Sequence, residues 1–273
     1  MTDSLRTVPD RMLGCWHRRY IKFGDGPQET DTEVIWLQTL SGMADMRIRK
    51  NRPDLRSYKS LSDLSLDQLT QLADADCSCG ITRLDKTTEP YETASWHDGD
   101  NGFAQQLISN FPEDGWMEWK EQGRCMMEYA PSGQYEEDWR LQTGSEGAVV
   151  HLLSEDGPTT QQLFLSGRHL VLAIDRAHHP KDEKSLLDLF KQFKDDRLML
   201  ETLVSSEFSY AVQPEGTTDM TFMIERSTIP WREGEHIDLS FLNSALKASS
   251  SGQRLVDATG RSWSVISSAN VNG

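Results

Sequence analysis

The chain has 273 residues, of which 43 are acidic and 28 are basic, so its formal net charge is −15. A charge of this sign repels a phosphate backbone and an anionic membrane surface, which argues against nucleic acid and membranes as partners. Only 37% of the residues are hydrophobic, but eight Trp, nine Phe and ten Met supply enough bulky side chains to build a core.

The N-terminus and the cysteines indicate a protein of the cytoplasm. No apolar run approaches the roughly 18 residues that span a bilayer, and residues 1–11 lack the apolar stretch of a signal peptide. The four cysteines, Cys15, Cys77, Cys79 and Cys125, are therefore expected to be reduced. Cys77 and Cys79 share a strand face, but structural zinc needs four ligands, so buried and inert thiols are favoured.

Short segments rich in β-branched and aromatic residues alternate with turn-forming residues along the first part of the chain. This pattern predicts strands over 16–23, 33–39, 43–49, 77–84 and 91–97. An amphipathic helix is predicted over 62–75, where leucines follow serines that can cap it. A second, brief helix is predicted over 103–109.

The middle of the chain has the clearest pattern of consecutive β-hairpins. Strands are predicted over 115–121, 124–130, 135–142, 148–153, 161–166 and 169–176. Pro131-Ser132-Gly133 and Ser166-Gly167-Arg168 are predicted turns, because each offers a residue that tolerates positive φ.

The last third begins with one long predicted helix, over 182–203, whose apolar residues recur at helical spacing. It is expected to pack over a barrel end or to plug it. Strands are then predicted over 208–212, 220–226 and 262–267. Residues 268–273 are expected to be frayed.

Gly14-Cys15-Trp16 opens the first predicted strand. It resembles the Gly-x-Trp signature of the calycin superfamily, the lipocalins and their relatives. The resemblance implies an up-and-down barrel in which Trp16 packs at the closed end, covered by an Arg from a late strand; Arg226 and Arg261 are the candidates. The chain departs from that family in its greater length and in lacking a secretory signal and disulfides.

The hairpin pattern and this resemblance together predict a mainly β protein. Its antiparallel meander would close into one enlarged or two packed calycin-like β-barrels, with a few helices. The chain would divide into a first half at 1–90 and a second half at 91–273, the latter carrying the packing helix.

One predicted strand combines acidic and aromatic residues in a way that suggests chemistry. Period-two alternation places Tyr135, Glu137 and Trp139 on the same face. If this face lines a barrel, Glu137 is a carboxylate among aromatic rings. It must then be paired, protonated or functional, because burial of an isolated charge costs several kcal/mol.

The same alternation offers partners for Glu137 on other strands: Arg18 and Tyr20 share one face, and Glu128 and His169 follow on later strands. Glu137, His169 and Glu128 are the candidate catalytic residues, since a carboxylate beside an imidazole or a phenol can move a proton. The alternative is a satisfied internal salt-bridge network, which is the commoner arrangement of buried charges.

The candidate ligand-binding residues combine aromatic surface with polar groups: Arg18, Tyr20, Trp36, Trp139 and Trp231. Trp231 lies in segment 227–232, which joins hydroxyls, an aromatic ring and a cation, as a pocket rim does. Equally, Pro230 and Trp231 can anchor that loop on the core.

Known catalytic motifs do not name a reaction. There is no phosphate-binding glycine loop, no His-Glu-x-x-His and no Gly-x-Ser-x-Gly elbow. Residues 98–102 resemble a calcium loop, but the ligand spacing fails and the twelfth position is not Glu. We therefore expect neither a metal nor an organic cofactor.

Three functions stay open on the sequence. The first is an intracellular, lipocalin-like protein that binds a small, partly apolar molecule in a barrel pocket. The second is a cofactor-independent isomerase, lyase or hydrolase that uses Glu, His and Tyr as acid and base in the same pocket. The third is an acidic scaffold for protein interactions. The oligomeric state is not fixed by the sequence.

Overall fold

The computed structural model describes residues 8–88, 91–97, 101–106, 115–179, 185–243 and 252–271, with the backbone alone at 85–88, 91 and 97. The strands of these residues form two antiparallel sheets, and three short α-helices accompany them. No helix in the described ranges is long and apolar enough to cross a membrane. The mainly β prediction is confirmed.

The first sheet contains β1 (Gly14–Phe23), β2 (Gln28–Glu29), β3 (Thr32–Gln38), β4 (Gly42–Arg49), β5 (Ser78–Thr88), β6 (Tyr91–His97), β7 (Phe103–Ala104), β8 (Gly115–Lys120), β9 (Cys125–Tyr129) and β10 (Tyr135–Leu141). The second contains β11 (Gly147–Ser154), β12 (Gln161–Ser166), β13 (His169–Ile174), β14 (Glu207–Val212), β15 (Thr221–Ser227), β16 (His236–Asp238), β17 (Arg254–Val256) and β18 (Ser262–Val271). The helices are α1 (Leu66–Leu72), α2 (Leu186–Gln192) and α3 (Arg197–Leu203), and short 3-10 helices span Asp10–Met12, Leu61–Asp63, Glu121–Gly123 and Pro230–Arg232.

The first sheet closes into a barrel because β1 pairs with both β3 and β10. Eight strands form the closed ring in the order β1, β3, β4, β5, β6, β8, β9 and β10, so each strand of the ring pairs with the next one along the chain. β2 and β7 lie beside β1 and β5, outside the ring. This is the predicted up-and-down arrangement.

The second sheet does not close. Its eight strands run in the order β16, β15, β14, β13, β12, β11, β18 and β17, and it curls into a half-barrel. One face packs on the barrel through an apolar layer. That layer contains Cys15, Ile35, Leu37, Ala44, Met46 and Ile48 from the barrel and Phe164, Val171, Phe208 and Tyr210 from the second sheet. The alternatives of one enlarged or two packed barrels thus resolve into one barrel and one half-barrel.

The opposite face of the second sheet is also covered by apolar side chains. Leu239 and Leu242 pack there against Phe222, Trp263 and Val265, and all five side chains are buried. Both faces of this sheet are therefore occupied by core packing.

The predicted long helix over 182–203 is wrong in the part that the structure describes. Residues 193–196 interrupt it, and α2 and α3 are two separate helices. The side chain of Asp196 accepts a hydrogen bond from the backbone N–H of Met199 at 3.1 Å, which is a helix N-cap. The break follows from this capping chemistry; residues 182–184 lie outside the described residues.

Two other predicted segments differ from the structure. Phe103–Ala104 is a strand paired with β5 instead of the start of a helix, and residues 107–109 lie outside the described residues. Of the segment 268–273 that is expected to be frayed, residues 268–271 continue β18 because they pair along β11, and residues 272–273 lie outside the described residues. The expected boundary between the two halves of the chain, at residue 90, falls between β5 and β6. These two strands pair with each other. The chain passes from the barrel to the second sheet over residues 142–146.

The Gly-x-Trp residues lie at the closed end of the barrel. Trp16 is fully buried, and its indole Nε1 donates to the carbonyl of Met12, in the 3-10 helix that covers this end. Gly14 has φ of +132°, and a Cβ atom there would overlap the side chain of Leu141. Arg226 and Arg261, expected to cover Trp16, are engaged elsewhere, with Glu33 and with Asp156.

Candidate functional site

The interior of the barrel is layered from a closed end to a mouth. The closed end is apolar and aromatic, with Trp16, Trp36, Met43, Met126 and Trp139 in one buried cluster. Trp36 meets Trp139 edge to face, with ring centroids 6.2 Å apart. These rings form the apolar floor of the barrel interior.

Above this floor lies a set of charged side chains that we call the polar layer: Arg18, Asp45, Arg47, Glu128 and Glu137. Strand alternation places them inside, since the residues next to Asp45 and Arg47 on β4 face the second sheet. Glu128 lies directly opposite Glu137 across β9 and β10. The polar layer therefore brings residues of four strands, β1, β4, β9 and β10, and both signs of charge together.

Arg18 and Glu137 form a buried ion pair, with 7% and 4% of their side chains exposed. The other oxygen of Glu137, Oε2, accepts a hydrogen bond from Trp139 Nε1 at 3.0 Å. Both oxygens of this carboxylate are thus satisfied. Because the pair is enclosed, loss of either partner leaves a buried charge.

Asp45 and Arg47 form the second ion pair of the polar layer. Arg47 Nε lies 2.9 Å from Asp45 Oδ1, and Nη2 lies 3.2 Å from Oδ2, which is a two-point contact. The Arg47 side chain is 32% exposed although it faces the interior. The barrel is therefore open to solvent at the end where Arg47 lies.

Glu128 is the carboxyl group of the polar layer that forms no ion pair among the described residues. It is buried, and its Oε1 accepts a hydrogen bond from the Tyr135 hydroxyl at 3.3 Å. Burial, and then the neighbouring charge of Glu137, raise the pKa of Glu128 to about 8. At neutral pH the Glu128 carboxyl is therefore largely uncharged.

Trp36 carries an unused hydrogen-bond donor. Its side chain is 3% exposed, and its Nε1 has no hydrogen-bond partner among the described residues. A buried indole N–H normally finds an acceptor, because leaving one unpaired costs about 1–3 kcal/mol. The donor lies on the barrel interior, beside the polar layer.

The structure brings together five of the predicted site residues: Arg18, Trp36, Glu128, Glu137 and Trp139. Tyr20 does not join them. A bulge between Arg18 and Tyr20 shifts the register, so Tyr20 lies opposite Asp138 on the outer face. The alternation predicted for this strand holds only up to the bulge.

His169 and Trp231 also lie apart from the polar layer. His169 is on β13 of the second sheet, where its ring contacts the Tyr210 hydroxyl at 2.9 Å and the Thr143 carbonyl at 3.0 Å. Burial lowers the pKa of His169. Trp231 packs against the core cluster of the three helices, as an anchor for its loop.

Asp45, Arg47 and Tyr135 complete the site. Strand alternation predicts Tyr135 on the interior face, whereas the sequence does not single out Asp45 or Arg47. They lie in a predicted strand, 43–49, in which Met43, Asp45 and Arg47 alternate with Ala44, Met46 and Ile48. Both halves of that alternation contain apolar residues, so the pattern alone does not tell which face is the lumen.

Substitution of Glu128 by Gln is expected to change the pH dependence of stability. The unfolded chain ionises this carboxyl above its ordinary pKa of 4.5, whereas the folded protein does so only near 8. The folded state thus binds more protons in this interval, and wild-type stability falls as pH rises through it. The Gln variant lacks this loss.

We expect Glu128→Gln and wild type to have similar stability near pH 4.5. Above it, the variant should gain at most about 1.4 kcal/mol relative to wild type per pH unit, up to pH 8. Urea unfolding at a series of pH values measures this difference. A variant with a parallel pH profile would show that Glu128 is ionised in the folded protein.

Comparisons with known proteins identify a fold but no family. No protein-family model matches the chain, and no curated protein matches it. The crystal structure of uncharacterized protein YLR301w from Saccharomyces cerevisiae is similar, with a TM-score of 0.57 and 11% sequence identity, over 93% of this chain and 98% of that chain. At this identity the likeness shows the fold alone, and the barrel with its half-barrel is consistent with a calycin-like fold.

Proposed function

We propose that the barrel of residues 14–141 binds a small, partly apolar molecule in its interior. The observation that carries the proposal is the unused indole N–H of Trp36, buried beside the polar layer. A ligand acceptor placed there would satisfy this donor, while the rings of Trp36 and Trp139 would cover an apolar body. The exposed part of Arg47 marks the route of entry.

The internal ion pairs alone do not require a ligand. In each pair, Arg18 with Glu137 and Arg47 with Asp45, the two opposite charges neutralise each other. A purely structural network needs no more than that. Trp36 and Glu128 are different, because Trp36 Nε1 has no acceptor and Glu128 forms no ion pair among the described residues. These two groups are what a structural network leaves unexplained.

The direct test is native mass spectrometry of freshly purified protein, followed by denaturing extraction of any bound small molecule. A stoichiometric ligand supports the proposal. No bound molecule, together with no thermal shift across a metabolite library, would contradict it and favour a protein-interaction role.

Trp36→Phe tests the site within the barrel. The change removes the unused donor and keeps an aromatic ring, so we expect ligand affinity to fall about tenfold, the worth of one hydrogen bond. Titration of the extracted ligand into the variant, followed by calorimetry, measures this loss.

Trp263→Phe is the matched control, since it removes the same atoms from a buried Trp of the second sheet, whose Nε1 donates to Asp257. It should lose stability, because the hydrogen bond to Asp257 is removed, and keep wild-type affinity. Equal affinities for both variants would place the ligand outside the barrel.

Acid–base catalysis in the same pocket is a second candidate function. The observation that favours it is the pair of facing carboxyl groups: the raised pKa of Glu128 keeps it protonated beside Glu137. An uncharged carboxyl can donate a proton, with Tyr135 hydrogen-bonded to it. For an enzyme, Glu128→Gln should abolish conversion of the extracted molecule while binding persists; a pure binder shows no conversion with either form.

A further inference from the structure

We infer that the contact between the barrel and the half-barrel is an acid-sensitive joint, which opens when three histidines inside it take up protons. His17 lies on β1 of the barrel, and His151 and His169 lie on β11 and β13 of the second sheet. Their rings contact the apolar layer between the sheets: His17 and His169 lie against Tyr210, and His151 stacks on Phe164 with centroids 4.5 Å apart.

His151 presents an unprotonated nitrogen to the barrel. Its Nε2 lies 2.8 Å from Gln162 Oε1, which can only accept, so Nε2 carries the ring proton. The orientation of the Gln162 amide is fixed, because its Nε2 donates to the Asn101 carbonyl at 2.6 Å. The other ring nitrogen, Nδ1, is buried and has no hydrogen-bond partner among the described residues.

The surroundings of this Nδ1 leave no place for a counterion. A Cβ atom on Gly42 of β4 would lie only 2.5 Å from it, so the barrel backbone closes directly against the His151 ring. Burial lowers the pKa of His151 to about 4. A second proton on this ring would be a buried charge facing the barrel without an acceptor, which strongly favours separation of the two surfaces.

His169 is held in its neutral form by two hydrogen bonds. Its Nε2 faces the Thr143 carbonyl at 3.0 Å and carries the ring proton, so Nδ1 accepts from the Tyr210 hydroxyl at 2.9 Å. A proton on Nδ1 would meet the hydroxyl hydrogen, and Tyr210 would have to turn away. Burial is the largest influence and lowers the pKa of His169; the Thr143 carbonyl raises it, and the charges of Arg168 and Glu146 act in opposite directions.

His17 adds a third ring from the barrel side. Its Nε2 is buried and has no hydrogen-bond partner among the described residues. Burial lowers the pKa of His17 to about 4, although the charge of Glu33 raises it, and His169 lowers it further. The Glu33 carboxylate already accepts from Arg226 at 2.6 Å, and the residue opposite His17 on β10 is a cation, Arg140.

Acid must therefore weaken the joint. The pKa of His17 and His151 is about 4 when the joint is closed, whereas the ordinary value in water is 6.5. The open form binds more protons between these values, so a fall in pH from 6.5 toward 4 shifts the equilibrium toward it. Each of these two histidines multiplies the opening equilibrium by about twentyfold between pH 7 and pH 5.

Cys15 and Cys79 can report the opening, because both thiols are fully buried in the apolar layer between the sheets. Dithiodipyridine reacts with thiols at acidic and at neutral pH, and glutathione serves as the rate reference. Peptide mass spectrometry assigns the label to each cysteine. We expect both cysteines to react at least about a hundredfold faster at pH 5 than at pH 7, relative to glutathione. Tryptophan fluorescence should stay native, because the barrel core remains folded.

Variants on the two sides of the joint identify the trigger. His151→Gln and His17→Gln each remove one titrating ring, so each should lower the acceleration of labelling by about twentyfold. His236→Gln is the matched control, because His236 is exposed on β16 of the second sheet. It should keep the wild-type acceleration. Circular dichroism at pH 7 verifies that each variant is folded, and either of the first two suffices for the comparison.

Three results would overturn the joint. Labelling of Cys15 and Cys79 that is no faster at pH 5 than at pH 7 means that it stays closed. An acceleration that His151→Gln and His17→Gln leave unchanged means that the histidines do not trigger it. Loss of native tryptophan fluorescence together with labelling means that the barrel unfolds as well. None of these results bears on ligand binding inside the barrel, which uses none of the three histidines.

Discussion

Replacement of Arg18 by Met should lower the free energy of unfolding by about 3 kcal/mol, the usual cost of breaking a buried ion pair from one side. The reason is the environment of Glu137, whose side chain is 4% exposed and loses its cation in the variant. The hydrogen bond from Trp139 remains but does not neutralise the carboxylate. Urea unfolding at pH 7, followed by circular dichroism, measures the change.

Two further variants make this result specific. Arg18→Met combined with Glu137→Met should be more stable than Arg18→Met alone, because no unpaired charge stays buried. Lys22→Met removes a cation from the same strand pair, where Lys22 and Glu136 are 31% and 33% exposed on the outer face. It should cost less than about 1 kcal/mol. If Arg18→Met costs no more than Lys22→Met, water in the barrel hydrates Glu137 and the polar layer is not enclosed.

Strand alternation predicted much of the candidate site because it depends only on the pleat of a single strand. Glu137 and Trp139 share a face whatever strands lie beside them. Glu128 follows by the same argument on the neighbouring strand, and the hairpin at Gly133 brings the two strands together. The residues that a single hairpin contributes to the site could therefore be predicted from the sequence of that hairpin.

Strand alternation gave a wrong prediction in two situations. One is a strand whose pairing is irregular, and the other is a residue whose neighbours depend on which sheet its strand joins. The bulge after Arg18 turns Tyr20 outward, and no side-chain pattern marks it, since Arg19 and Tyr20 are ordinary strand residues. Alternation alone predicts His169 as a partner of Glu137, but its strand belongs to the second sheet. Which strands join which sheet depends on long-range pairing, which short segments do not encode.

The closed barrel was foreseeable and the half-barrel was not. Consecutive hairpins favour neighbouring strands, and that is how the ring of eight strands is built. The second sheet requires β18 to insert beside β11, more than a hundred residues away along the chain. The expected frayed tail was wrong for this reason, because only the partner strand gives residues 268–271 their structure.

Replacement of Gly167 by Ala should be as damaging as loss of Arg18, although Gly167 lies in a turn. Its φ is +56°, and a Cβ atom there would overlap the carbonyl oxygen of Gly144 and lie 2.5 Å from that of Glu146. Both obstacles are backbone atoms of the connection between barrel and half-barrel. Neither can move freely, since Arg168 N–H donates to the Gly144 carbonyl at 2.7 Å. We expect a loss of about 3 kcal/mol or more.

Gly133→Ala separates the effect of φ from that of the close approach. Gly133 also closes a hairpin with positive φ, +74°, but nothing lies within 4 Å of a Cβ atom there. Ala at this position should cost about 1 kcal/mol, the penalty for the left-handed conformation alone. The urea midpoints of the two variants measure the difference. Equal losses of unfolding free energy would mean that segment 144–146 shifts to make room for the methyl group of the Gly167→Ala variant. This connection would then not be a rigid contact between the two sheets.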